Sequence, residues 1–129
     1  MTKALLVDID NTVYAYAPCH DAGMREAFRF SRDHGFWSDE DDFRGAYSRA
    51  RRGVKTRLAS GAAAHSRLLY FKEMLEAASG PAALGCFIAL ERAYWNGYAS
   101  ALAPDPGCLD VLEGDDDIVF GWDIGQDVF

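Results

Sequence analysis

The chain has 129 residues, 50% of them apolar, and a formal net charge of −7. That length suits one domain, or a core with a small insert, and the apolar share is enough for a real hydrophobic core, so global disorder is excluded. The acidic balance disfavours sequence-independent nucleic-acid binding, which depends on Lys and Arg neutralising phosphates, and no stretch approaches the ~20 consecutive apolar residues of a membrane span.

The charge is unevenly distributed. Almost all basic residues fall between Arg25 and Lys72, interleaved with acids, whereas the segment from Asp105 to Asp127 carries eight acids and no Lys or Arg. Cys19, Cys86 and Cys108 are odd in number and far apart. They match no metal-ligand spacing and read as free thiols of a reducing compartment. The opening "MTKALLVDID" has one basic residue and an apolar run too short for a signal peptide, so the expected location is cytoplasmic.

Residues 3–9, "KALLVDI", form an aliphatic run of strand length. A strand covered on both faces, as in a parallel sheet flanked by helices, reads this way. From about Asp21 to Leu102 the pattern is helical. In "DAGMREAFRFSRDHGF", Met24, Ala27 and Phe28 share a face and Gly35 is a C-terminal stop. "SDEDDFRGAYSRARRGVKTRLAS" opens on Ser38 as N-cap, with Asp41 imitating a capping box. "AAAHSRLLYFKEMLEAAS" puts Leu68, Phe71, Leu75 and Ala78 on one stripe, broken by Gly80-Pro81. "AALGCFIALERAYWNGYASAL" repeats the pattern with Phe87, Leu90, Tyr94 and Tyr98. Amphipathic helices joined by short turns imply a small antiparallel bundle. "APDPGCLDVLEG" then starts a short helix, with Asp105 as N-cap and Pro106 at the first helical position. In the final stretch "IVFGWDI" has strand character.

The first strand ends in Asp8 and Asp10, followed by Asn11 and Thr12. In an open parallel sheet, ligands bind beyond the carboxyl ends of the strands. Side chains two residues apart share one side of an extended chain. Two nearby carboxylates make a hard-oxygen site for Mg2+, and they can divide labour as nucleophile and proton donor. Thr12 adds a hydroxyl able to orient an oxyanion. The structural alternative is a polar turn in which Asp10 and Asn11 make local side-chain hydrogen bonds.

Leu5, Leu6 and Val7 followed by Asp8-Ile9-Asp10-Asn11-Thr12-Val13-Tyr14 resembles the first motif of the haloacid dehalogenase-like (HAD) hydrolase superfamily, in its helical-cap phosphatase branch. Members of that family carry a helical cap directly after this motif, and a Pro-x-Pro-Gly helix start often returns the chain to the core. The segments 18–102 and "APDPGCLDVL" match those places. The resemblance implies a mostly α chain with a small α/β part: a partial Rossmannoid core carrying a helical-bundle cap. Residues 1–17 would be the first core strand and motif loop, 18–102 the cap, and 103–129 the return to the core with a short helix and divergent acidic tail. It further implies that Asp8 is the nucleophile, Asp10 the acid/base, and Asn11 and Thr12 substrate-binding residues. Mg2+ would be held by Asp8 and Asp10. The substrate would be a small phosphorylated metabolite, and an Asp at the second position suits phosphoryl transfer, because the leaving group needs a proton.

The family's later motifs are a Ser or Thr, a Lys or Arg, and a further acidic pair. After Asp110 the chain has no Lys, Arg, Ser or Thr, so it reads as the first half of such a hydrolase. Three accounts fit: a truncated product, a short protein that completes its sheet as a homo-oligomer, or a relative kept for binding. The last is the alternative to an enzyme, a non-catalytic helical interaction module. Among the other residues, His65 with Arg67 could line the site, although helix surface is the default for His65. "YWNGY" (94–98) reads as bundle core, with an aromatic specificity pocket as the alternative. "RARRGVK" (49–55) reads as a solvated basic face. His20 and His34 read as surface or capping residues.

Overall fold

The computed structural model describes residues 5–8, 13–80, 84–107, 110 and 118–121. The chain is mostly helical. In order come β1 (Leu5–Asp8), α1 (Tyr16–Asp33), α2 (Glu40–Leu58), a 3-10 turn (Ala62–His65), α3 (Arg67–Ser79), α4 (Leu84–Ser100) and β2 (Ile118–Gly121). Pro106, Gly107 and Asp110 are helical as well, and the Asp105 carboxylate accepts from the Gly107 N–H at 2.8 Å, as an N-cap does.

The helix α1 starts five residues before the first helical residue expected from the sequence. Pro18 lies in the first turn, where its missing N–H has no intrahelical acceptor to satisfy. The earlier start places Tyr16 and Cys19 in the core. At the other end Gly35, with φ of +80°, takes the left-handed conformation that closes the helix. Its N–H donates to the Arg32 carbonyl, and the Phe36 N–H donates to the Ser31 carbonyl at 3.0 Å. These two bonds form a Schellman motif.

The N-cap of α2 is Asp39, whose side chain accepts from the Asp41 N–H, rather than Ser38. A carboxylate at this position also complements the helix dipole, as do Glu40, Asp41 and Asp42 in the first turn. The helical pattern expected from Ala62 is interrupted. A 3-10 turn ends at His65, Ser66 caps α3, and the Tyr70 hydroxyl donates to the Ala64 carbonyl at 2.5 Å, pinning the turn to the helix. The buried face of α3 is Tyr70, Phe71, Met74 and Leu75, while Leu68 is half-buried and Ala78 exposed. In α4, Phe87, Leu90, Tyr94 and Tyr98 are all buried, as the 3- and 4-residue spacing predicts.

The helices run up, down, up and down. Each packs on its sequence neighbour, and α4 closes the ring against α1. Phe43, Tyr70, Phe71 and Tyr94 are fully buried, and each of the two Phe side chains contributes about 1.5–3 kcal/mol by its removal from water. The approach of α1 and α4 is set by two glycines. A Cβ on Gly23 would lie 2.7 Å from the Tyr94 ring, and one on Gly97 would lie 2.6 Å from the Ala22 carbonyl oxygen.

The bundle enters and leaves at one point. Tyr14 and Pro104 form an antiparallel bridge, and the Asp105 N–H donates to the Val13 carbonyl at 2.6 Å. Beyond this neck β1 pairs in parallel with β2, Leu5 opposite Ile118 and Asp8 opposite Gly121. A parallel pair requires a crossover connection, and here the bundle lies within it. Among the described residues no helix is long and apolar enough to cross a membrane.

Candidate functional site

Asp8 is the last residue of β1. It therefore stands at the carboxyl end of a parallel strand, where ligands of such sheets bind. Asp10, Asn11 and Thr12 lie outside the described residues. The next described residues are Val13 and Tyr14, both held in the neck. Asp8 has the hard carboxylate chemistry that Mg2+ takes. Among the described residues no group of three or more His, Cys, Asp or Glu is placed to hold a metal ion.

The strand-facing end of the bundle carries an aromatic and cationic cluster. Tyr16 begins α1, Arg67 begins α3, and Tyr94, Trp95 and Tyr98 lie in the last two turns of α4. The Arg67 guanidinium lies 5.0 Å from the Tyr94 ring centroid, 5.3 Å from that of Trp95 and 5.7 Å from that of Tyr16. It also donates to the Tyr16 hydroxyl. Ring faces at these distances attract the cation and fix its plane. His20 stacks on Tyr16 with centroids 5.4 Å apart, and its Nδ1 shares a 2.7 Å hydrogen bond with the Tyr94 hydroxyl. Burial pushes the Tyr94 phenol far above its ordinary pKa, against the opposing pull of the nearby Arg67 charge. Tyr94 therefore stays neutral and serves as a hydrogen-bonding group. Tyr14 and Tyr98 share a 2.7 Å hydroxyl–hydroxyl bond that ties the neck to α4.

The residues singled out from sequence separate into two groups. Tyr94 and Tyr98 are buried, and Trp95 is half-buried with its indole N–H donating to Glu91 at 3.1 Å. "YWNGY" is thus bundle core that also forms a wall around Arg67. His20 is part of that wall rather than a free surface residue. His65 is half-buried in the 3-10 turn, and its Nδ1 has no hydrogen-bond partner among the described residues. His34 closes the far end of α1, its Nδ1 2.8 Å from the Phe30 carbonyl. Arg49 and Arg52 are exposed on α2, while Cys19 is buried and Cys86 half-buried. A cleft of about 510 Å3 opens between α2 and α3, lined by Trp37, Ala46, Arg49, Glu73, Met74 and Ala77. It lies along the helix flank, away from the neck, and has no relation to Asp8. Sequence reasoning missed the grouping of Tyr16, His20 and Tyr94 about Arg67. Only the folded topology, which returns the starts of α1 and α3 and the end of α4 to one end, brings them together.

The arrangement is a helical bundle held at a two-stranded neck, set beyond a parallel strand that ends on Asp8. The chain is similar to the ribulose-1,5-bisphosphate 5-phosphatase of Halopiger xanaduensis, with 38% identity over 113 residues. That alignment takes in 88% of this chain and 47% of the relative, so the chain spans about half the length of the curated relative it matches. No family model and no solved structure matches it.

Proposed function

We propose that this chain belongs to a phosphatase of small phosphorylated sugars in the HAD superfamily, working through an aspartyl-phosphate. The observation that carries this reading is the similarity to a sugar-bisphosphate phosphatase, in a chain whose first strand ends on Asp8. In this reading a carboxylate oxygen of Asp8 attacks the substrate phosphorus, and the bond from phosphorus to the sugar oxygen breaks. Asp10, protonated, gives its proton to that leaving oxygen. As a carboxylate it then takes a proton from water, whose oxygen attacks the phosphorus of the aspartyl-phosphate. Inorganic phosphate leaves and Asp8 is restored. Asp8 and Asp10 would hold Mg2+, which when bound screens the repulsion between carboxylate and phosphate. Thr12 and Asn11 would orient the phosphoryl oxygens. The bundle over residues 18–102 acts as the cap in this reading, and the neck at Val13–Tyr14 and Pro104–Asp105 holds it over the strand end.

The test is hydrolysis of p-nitrophenyl phosphate and ribulose 1,5-bisphosphate with and without Mg2+, comparing the unaltered protein with Asp8→Asn. The expected result is Mg2+-dependent release of phosphate that falls by at least about 1,000-fold in the variant, as loss of a covalent nucleophile does. Equal rates for the two proteins would overturn the assignment of Asp8.

A further inference from the structure

We propose that the outer face of α2 is a self-association surface, on which α2 of a second copy of this chain packs antiparallel. The proposal does not depend on the phosphatase reading, because the surface lies on the flank of the bundle.

The first argument is spacing. Asp42, Gly45, Arg49, Arg52 and Thr56 recur at alternating intervals of three and four residues within Glu40–Leu58. That repeat places them in one stripe along the helix, with the periodicity of a two-helix seam. Asp42, Arg49, Arg52 and Thr56 are exposed, and Gly45 is half-buried. The bundle core takes a separate stripe of the same helix, Phe43, Ala46, Tyr47, Ala50 and Val54.

The second argument is charge. Elsewhere on the bundle, charged groups pair within one helix or with an adjacent one: Arg44 with Glu40 and Asp21, Lys72 with Glu76, and Arg57 with Glu73. Asp42, Arg49 and Arg52 make no ion pair or hydrogen bond to any described residue. Asp42 and Arg49 are seven residues apart, about two helical turns, so they do not reach each other along their own helix. A two-fold axis passing between Gly45 and Ala46 brings them together between copies. It sets Asp42 opposite Arg49 of the partner subunit and Asp39 opposite Arg52 of the partner subunit, and each pair occurs twice. Asp39 accepts from the Asp41 N–H at 3.0 Å, and its carboxylate keeps further acceptor positions. A parallel pairing would set like charges against each other, so the charge pattern selects the antiparallel one.

The third argument is the glycine at the crossing. The approach of α1 and α4 requires Gly23 and Gly97, but no contact within the chain requires Gly45. A Cβ there would meet only the Arg49 Nη1 at 3.4 Å, the end of a flexible side chain. Glycine is a poor residue for a helix interior. At the axis of an antiparallel pair, its missing side chain lets two backbones approach closely. Apolar surface borders the same stripe. Arg49 also lines the cleft of about 510 Å3, together with Trp37, Ala46, Met74 and Ala77. A helix laid along the stripe covers that surface, and the charged pairs form its rim.

The test is sedimentation equilibrium of the full chain across the micromolar range, at low and high NaCl, with Asp42→Arg, Arg49→Asp and the double exchange. The unaltered protein is expected at twice the chain mass, and salt should promote its dissociation. Each single reversal replaces two attractions across the axis by two repulsions and should weaken the dimer roughly 10- to 100-fold. The double exchange restores complementarity and should recover the affinity to within about threefold. Asp42→Arg also removes a favourable charge from the first turn of α2. The double variant shares that loss, so its recovery reads the pair between chains alone. Far-UV circular dichroism checks that each variant keeps its helices. A monomer over the whole concentration range would overturn the proposal. So would a dimer indifferent to all three variants, which would put the contact on another surface. Weakening by both reversals without recovery in the double exchange would overturn the antiparallel pairing.

Discussion

Replacing Gly97 by Ala tests whether the closest contact of the bundle is as tight as the geometry requires. In an open helix interior the substitution would be favourable, because Ala is worth about 0.8–1.0 kcal/mol over Gly. Here the new Cβ would fall 2.6 Å from the Ala22 carbonyl oxygen and 2.8 Å from the Glu26 Cγ. The nearest atom is backbone and cannot rotate away, so α1 and α4 must separate where they approach most closely. Overpacking typically costs ~1–3 kcal/mol, and a rigid neighbour puts this site at the upper end. Subtracting the propensity gain leaves a net loss of about 2 kcal/mol. For a chain of this size that corresponds to a Tm lower by roughly 6–12 °C, read by far-UV circular dichroism. Gly85 is the control. It also lies in α4, but a Cβ there meets nothing within 4 Å, so Gly85→Ala should leave Tm unchanged or raise it. A Gly97→Ala protein as stable as its parent would refute the close-approach argument.

The remaining predictions concern a cap and a titration. Asp39→Ala should cost about 1 kcal/mol in urea unfolding, whereas Ser38→Ala should change stability by less than about 0.5 kcal/mol, because Asp39 and not Ser38 caps α2. Glu73 is held below the usual carboxylate range by its hydrogen bond from Arg57, and Asp21 likewise by Arg25. A depressed folded-state pKa gives stability that is present above the unfolded value of about 4 and is lost as pH falls through the folded one. The urea midpoint of the parent should therefore drop between about pH 5 and pH 3, and Glu73→Gln should lower the midpoint at pH 7 but leave a shallower acid slope. Parallel profiles for the two proteins would argue that the Arg57 pair contributes nothing.

The four helices were legible because each buries a stripe at 3- and 4-residue spacing, and Phe87, Leu90, Tyr94 and Tyr98 are the plainest case. Boundaries were less legible where local chemistry admits two solutions. Pro18 is compatible with a helix start as well as with a break, and "SDE" offers two capping side chains of which the structure uses the second. At the 3-10 turn, "AAAHS" has no periodic signal that separates it from α3, and the Tyr70 hydroxyl on the Ala64 carbonyl decides its geometry from within the following helix. For the site, the strand ending on Asp8 could be read directly. Asp10, Asn11 and Thr12 remain expectations from the sequence. The setting of Arg67 was not readable, because its ring neighbours come from residues 16, 94 and 95, and only the folded topology brings them together.

That topology also explains why the middle connection is the one at the strand-facing end. A bundle inserted between two adjacent parallel strands must return to its point of entry, so it holds an even number of alternating helices. With four, the connections α1–α2 and α3–α4 fall at the far end and α2–α3 falls at the strand-facing end. The residues at the strand-facing end are then those between Leu58 and Arg67 together with the flanking turns of α1 and α4. At the far end, Phe28, Trp37 and Phe43 pack as a second aromatic group, with Trp37 and Phe43 centroids 5.7 Å apart. Their role is to hold the helices, since nothing in their position reaches the neck. The two aromatic groups are therefore separated along the bundle axis, and Tyr94, which packs on Phe71 in the core and on Arg67 at the rim, joins the core to the strand-facing end.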